Sequence, residues 1–170
     1  MNKIRFREWL LSEGAVELIL YHGTHLDFDE FDLKWSGRNQ DYGYYGHGIY
    51  LTPNPRLAKY YGSKVYRCRV RLLNPLVWRD GKDALYERYG IEGSVSGDRL
   101  VAQALTDGIK SDGYDGVIVI GTGGGVGEVC VFDPGQVEVV SREIDLGAEY
   151  SAFMGHRGRL GPEGFEAGES

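Results

Sequence analysis

The run DGVIVIGTGGGVGEVCVF, residues 115–132, constrains the fold of this chain more than any other stretch. Its first part is a continuous apolar series, the pattern of a strand buried on both faces. Glycines after such a strand also occur in a dinucleotide-binding turn, but that turn must open into a helix whose N-terminus meets a pyrophosphate. Here they lead to Glu128, Val129, Cys130, Val131 and Phe132, which read as a second strand. The stretch is a hairpin, and a doubly wound dinucleotide fold is excluded on context. Asp133, Pro134 and Gly135 then place Pro before Gly, a type II turn signature, so residues 136–140 are expected to form an antiparallel neighbour of the preceding strand.

Residues 64–73 (KVYRCRVRLL) alternate cleanly, with Tyr66, Cys68, Val70 and Leu72 on one face and Arg67, Arg69 and Arg71 on the other. That predicts a half-buried strand with a basic outer stripe. Three arginines on a strand face can meet phosphates or an acidic acceptor, although a solvated face is the commoner use. Residues 16–21 (VELILY) predict a strand that delivers His22 at its end. Asn54 and Pro55 supply an N-cap and a first helical residue, and Gly62 a stop. On that helix Leu57 and Tyr61 are four apart and are expected to point inward together. Phe28, Phe31 and Trp35 recur at helical spacing and predict a turn that seats a long loop on the core. Residues 82–90 and 98–110 carry helical patterns, the second with Asp98 near its start. Strands interrupted by helices, with hairpins in place of strict βαβ alternation, define an α+β class.

A chain of 170 residues with 42% hydrophobic content holds one compact domain. The domain is expected over residues 15–147, after an amphipathic N-terminal helix within residues 1–14 and before a flexible Gly- and Glu-rich tail over residues 148–170. A net charge of −6 argues against nucleic-acid binding through bulk electrostatics. Cys68 and Cys130 lie far apart in separate strands without CxxC spacing, which fits neither a disulfide framework nor a zinc site. No apolar run reaches the roughly 18 residues that span a bilayer, and the first residues lack the apolar core of a signal peptide. A soluble protein of the reducing cytoplasm, with no membrane partner, is the expectation.

Chemistry concentrates in residues 20–61, where His, Tyr and Gly crowd a loop held between regular elements. A metal site assembled from His22, His25 and His47 with Asp27, Asp29 and Asp41 is disfavoured, because the HxxH pair sits on a strand-to-loop junction rather than on a helix. Glu128 is the more informative carboxylate: strand parity turns it the way of Cys130 and Phe132, toward apolar surroundings, where an acid needs a partner or a task, although a strand-end charge bent back to water is the commoner use of a single such residue. The order is a strand ending Tyr-His-Gly-Thr, then Gly-His-Gly-Ile-Tyr, then Tyr61 eleven residues after Tyr50, then a late strand opening Glu-Val-Cys-Val-Phe. This resembles the His-Tyr-Glu class of ADP-ribosyltransferases, which includes diphtheria-toxin-like enzymes and poly(ADP-ribose) polymerases. Within that class the chain is most similar to the small bacterial and phage domains associated with polyvalent proteins, over residues 16–141.

The resemblance implies two packed, mainly antiparallel sheets with flanking helices and a central cleft for NAD, used as substrate without a metal. It implies that His22 hydrogen-bonds ribose hydroxyls and that Gly23 holds the carboxamide, with Thr24 beside them. Tyr50 and Tyr61 would enclose the nicotinamide, and Glu128 would contact the 2′-hydroxyl of its ribose. The implied catalytic set is Glu128, His22 and Tyr50. A fixed carboxylate fits the chemistry, since breaking the nicotinamide–ribose bond develops positive charge on the ribose. Three departures bear on the activity. Val126 stands where arginine-modifying relatives carry Glu or Gln, which disfavours arginine as acceptor; Ala58 stands where the polymerases carry a serine that contacts the carboxamide; and the segment between the central helices and Asp115 is short for the acceptor loops of a chain-extending polymerase. The expected activity is single transfer of ADP-ribose to a macromolecular acceptor, protein before nucleic acid, by a toxin-like or effector protein in a bacterial or phage-infected cell. NAD hydrolysis and a non-catalytic NAD-binding module are the alternatives.

Overall fold

Tyr66, Cys68, Val70 and Leu72 have no exposed surface, and they lie on one face of a nine-residue strand, Lys64–Leu72. A computed structural model of the chain describes residues 15–35, 43–92 and 98–157. In it that strand, β3, is the third of seven. The others are β1 (Val16–Thr24), β2 (Ile49–Leu51), β4 (Pro75–Trp78), β5 (Gly116–Ile120), β6 (Val126–Val131) and β7 (Val137–Ser141). Four α-helices separate or follow them: α1 (Pro55–Ala58), α2 (Gly81–Arg88), α3 (Arg99–Ser111) and α4 (Leu146–Arg157).

The strands form two sheets, one ordered β1-β3-β7 and the other β2-β6-β5-β4. Every pairing is antiparallel except β4 with β5. The expected α+β architecture of two packed, mainly antiparallel sheets is what the chain adopts. Between the sheets lies a core that includes Val16 and Leu20 of β1, Leu51 of β2, the inner face of β3, Ile118 of β5 and Val129 and Val131 of β6. Each such side chain stabilises the fold by about 1.5–3 kcal/mol through loss of water contact. The far face of the four-stranded sheet is covered by α2 and α3. There Ala102, Leu105 and Ile109 meet Val117, Cys130 and Phe132, at the three- and four-residue spacing of one helix face. Asp98 caps α3 as its sequence position predicts, accepting hydrogen bonds from the N–H groups of Leu100 and Val101.

The sheets are tied next to His22. Tyr21 and Thr52 exchange backbone hydrogen bonds of 2.8 and 2.9 Å, linking the end of β1 to the residue after β2. Burial pushes the thiol of Cys68 up to about 12 and that of Cys130 higher still, so neither is a thiolate at neutral pH.

Three expectations are corrected. Residues 134–136 form a 3-10 turn capped by Asp133 rather than a type II turn, and it carries the chain from one sheet to the other. β6 and β7 are therefore not neighbours, since β7 pairs with β3. Residues 146–157, expected to lie almost wholly in a flexible tail, form α4, which packs on α1. Leu57 and Tyr61 do not point into the core: they are 40% and 59% exposed, because α1 lasts one turn and tightens to a 3-10 turn at residues 59–61. Pro55 and Ala58 take the buried positions instead. The expected N-terminal helix and the last part of the tail lie outside the described residues.

Candidate active site

The wall of the site is set by a glycine. At the end of β1 a Cβ on Gly23 would stand 1.7 Å from the carbonyl oxygen of Ala58, so only glycine lets α1 seat against the strand. One turn later a Cβ on Gly62 would lie 2.1 Å from the carbonyl carbon of Thr24. These two close approaches fix α1 and Tyr61 beside His22. His25 adds a clasp, its Nδ1 accepting a 3.2 Å hydrogen bond from the N–H of Ser63. Thr24 turns its hydroxyl to the backbone, where Oγ1 accepts from the N–H of Leu26 at 3.0 Å.

His22 is held in one tautomer. Its Nδ1 lies 2.8 Å from the carbonyl oxygen of Tyr50, and a carbonyl only accepts, so Nδ1 carries the proton and Nε2 is left as an acceptor. The ring is stacked edge-on by Phe31, with centroids 4.9 Å apart and planes at 82°. Burial lowers the His22 pKa below its ordinary 6.5, and the hydrogen bond to the Tyr50 carbonyl opposes part of that effect. The unfolded chain therefore binds a proton that the folded chain refuses. This contribution to stability is fully present above pH 6.5 and is lost as pH falls from there toward the depressed value. Thermal melts from pH 8 to 5 are expected to show a steeper acid decline for the wild type than for His22→Asn, which cannot titrate; equal slopes would contradict this account.

Tyr50 closes the other side. Its hydroxyl donates to the carbonyl of Gly46 at 2.6 Å and accepts from the N–H of Tyr45 at 3.0 Å, which pins the loop ahead of β2. Tyr86 pins the same loop by donating to the carbonyl of Tyr44 at 2.7 Å. Burial pushes the Tyr50 phenol well above 10, and the nearby Glu128 carboxylate adds to the shift, so the hydroxyl stays protonated.

Glu128 sits on a bulge. The β5–β6 register runs Val119 to Glu128 and then Ile120 to Val126, which leaves Gly127 as the extra residue. Past the bulge Val126 packs toward the core between the sheets, with Val129. Simple alternation would have set Val126 beside Glu128; the bulge turns it away. Glu128 lines the cleft with Gly127 and Val119.

The cleft has a volume of about 710 Å³, within the roughly 300–1,000 Å³ usual for small-molecule and cofactor sites. His22, Gly23, Thr24, Tyr50, Tyr61 and Glu128 all line it. Six residues named from sequence thus converge from β1, β2, β6 and the turn after α1. Phe28 and Phe31, whose spacing predicts packing on the core, also form a wall of the cleft. Tyr44 and His25 line it as well, and the density of aromatic and His residues in that loop is the sequence signal for them. Arg67, Arg69 and Arg71 are not among the lining residues. Each is matched by acid: Arg67 with Glu149 at 2.6 Å, Arg69 with Glu17 and Glu138 at 3.3 Å, and Arg71 with Glu17 at 3.7 Å. Among the described residues no group of His, Cys, Asp and Glu is placed to hold a metal ion, and no helix is long and apolar enough to cross a membrane.

An α+β domain in which a neutral histidine, two tyrosines and a carboxylate line one cleft has the form of a candidate small-molecule site. Residues 13–145 match the family described as ADP-ribosyltransferase in polyvalent proteins, and the chain belongs to that family. No curated protein matches it. Among solved structures it is similar to an anti-CRISPR protein at 18% identity and a TM-score of 0.42, over 76% of this chain and 99% of that one. It is also similar to the MbcT-MbcA toxin–antitoxin complex of M. tuberculosis at 19% identity and a TM-score of 0.41, over 82% of this chain and 90% of that one. Likenesses this loose carry no argument about activity.

Proposed function

We propose that the protein is an NAD-dependent mono-ADP-ribosyltransferase that transfers ADP-ribose to a macromolecular acceptor, protein before nucleic acid, in the cytoplasm of a bacterial or phage-infected cell. The observation that carries the reading is the convergence of His22, Tyr50, Tyr61 and Glu128 on one cleft, in a chain of an ADP-ribosyltransferase family. NAD supplies an activated glycosidic bond, whose electron pair leaves with nicotinamide. The rest is the work of this chain's residues.

His22, neutral and with its Nε2 lone pair available, accepts a ribose hydroxyl proton in a hydrogen bond. Tyr50 and Tyr61 hold a flat ring at low entropy cost, Tyr50 being fixed by its two hydroxyl contacts and Tyr61 by the seat of α1 on Gly23. Glu128 supplies fixed negative charge where positive charge develops on the ribose, so it favours the transition state over the bound substrate. The pairing of the β3 arginines with carboxylates argues against a nucleic-acid acceptor, because arginines already neutralised by acid would displace few counterions from a phosphate backbone. The test is incubation of the protein and bacterial lysate with NAD labelled in its adenylate part. Label is expected in macromolecules that resist nuclease and are sensitive to protease. Label confined to free ADP-ribose would replace transfer with hydrolysis.

A further inference from the structure

The wall that carries Tyr61 is backed by a helix outside the family match, which ends at residue 145. α1 lies between the end of β1 on one side and α4 on the other. On the β1 side, Gly23 receives the Ala58 carbonyl at close range. On the α4 side, the guanidinium of Arg56 sits 3.8 Å over the ring of Tyr150. Just before and at the start of α4, Ile144 and Leu146 pack against Tyr21, Ala58 and Val65.

α4 is itself anchored through one carboxylate. Glu149 accepts a hydrogen bond from the hydroxyl of Tyr21 on β1 and one of 2.6 Å from Arg67 on β3. Those two residues face each other across the β1–β3 ladder. Glu149 is only 17% exposed, so water competes weakly for its two partners. Tyr21 is also the residue whose backbone ties the two sheets together, and it directly precedes His22.

We propose that Glu149 is a positioning residue for the cleft: by tying α4 to Tyr21 and Arg67 it clamps α1 against the end of β1 and so fixes Tyr61 over the nicotinamide site. The inference rests on the reading of the cleft as an NAD site. In its terms the matched residues supply the contacts to NAD, and a helix that follows them completes one wall.

The test is a double-mutant cycle read by calorimetric NAD affinity, in a Glu128→Gln background that slows turnover. Glu149→Ala is expected to weaken NAD binding about tenfold when Tyr61 is present and less than about twofold in Tyr61→Ala, the signature of two residues acting through one wall. Glu149→Gln keeps an oxygen that accepts from Tyr21 and is expected to recover part of the loss. Tyr21→Phe, a milder change, is expected to weaken binding in the same direction and serves if Glu149→Ala fails to fold. A lowered melting temperature with unchanged NAD affinity would make Glu149 a structural residue and overturn the proposal, as would equal losses with and without Tyr61. Absence of NAD binding in every form, the parent included, would overturn the reading of the cleft and this inference with it.

Discussion

Glu128→Gln is expected to slow nicotinamide release from NAD by about 10²–10³-fold, the usual effect of removing one preorganised electrostatic group, while leaving NAD affinity nearly unchanged. The amide matches the carboxylate in shape, so the half-buried position on the bulged start of β6 keeps its packing. What disappears is charge, and charge matters most when the ribose becomes cationic, not when NAD first binds. A steady-state assay for nicotinamide, paired with calorimetric binding, separates the two effects. An unchanged release rate would remove Glu128 from the mechanism. The same substitution carries a second readout, because the Glu128 carboxylate helps hold the Tyr45 and Tyr50 phenols high. In the variant the Tyr45 phenol is expected to ionise at lower pH, which resonances of ring-labelled tyrosine follow separately from the other eleven.

Gly23→Ala is expected to be the most damaging change of a single methyl group. The added carbon would lie 1.7 Å from the Ala58 carbonyl oxygen and 3.2 Å from the Tyr61 Cβ, and the nearest atom is backbone, not a side chain that can swing away. α1 must move outward, and overpacking of this kind destabilises by about 1–3 kcal/mol. Tyr61 moves with it, so NAD affinity is expected to fall at least tenfold, equivalent to about 1.4 kcal/mol. Gly155→Ala is the control: a Cβ there, within α4, meets open space, and alanine favours a helix by up to about 1 kcal/mol. Thermal denaturation and NAD titration of the two variants check both expectations. Gly23→Ala with the melting temperature and affinity of the wild type would mean that the close seat of α1 does not shape the cleft.

The elements easiest to read from sequence were those whose pattern is set by burial on one face. The alternation of β3 and the Asp98-capped α3 followed from periodicity, because each presents a single side to the core. The hairpin at residues 120–126 followed from what succeeds its glycines. Two of the failures depend on partners distant in sequence. Nothing local in Asp133-Pro134-Gly135 says that the chain is about to change sheets. The helix at residues 146–157 carries two glycines, Gly147 and Gly155, which weaken its helical signal, and it is held by Glu149 against Tyr21 and Arg67. The outward exposure of Tyr61 follows from the early tightening of α1, and the turn of Val126 away from Glu128 follows from a one-residue bulge that alternation alone cannot foresee. The residues that line the cleft include the six that the sequence order singles out. Its walls of Phe28 and Phe31, the tautomer of His22 and the pinning of Tyr50 needed three dimensions.

The most direct test of the account is whether the purified wild-type protein releases nicotinamide from NAD. The account predicts release that rises when bacterial lysate supplies an acceptor. NAD bound intact in the cleft, with no nicotinamide formed over hours with or without lysate, would contradict it and leave the protein a binding module.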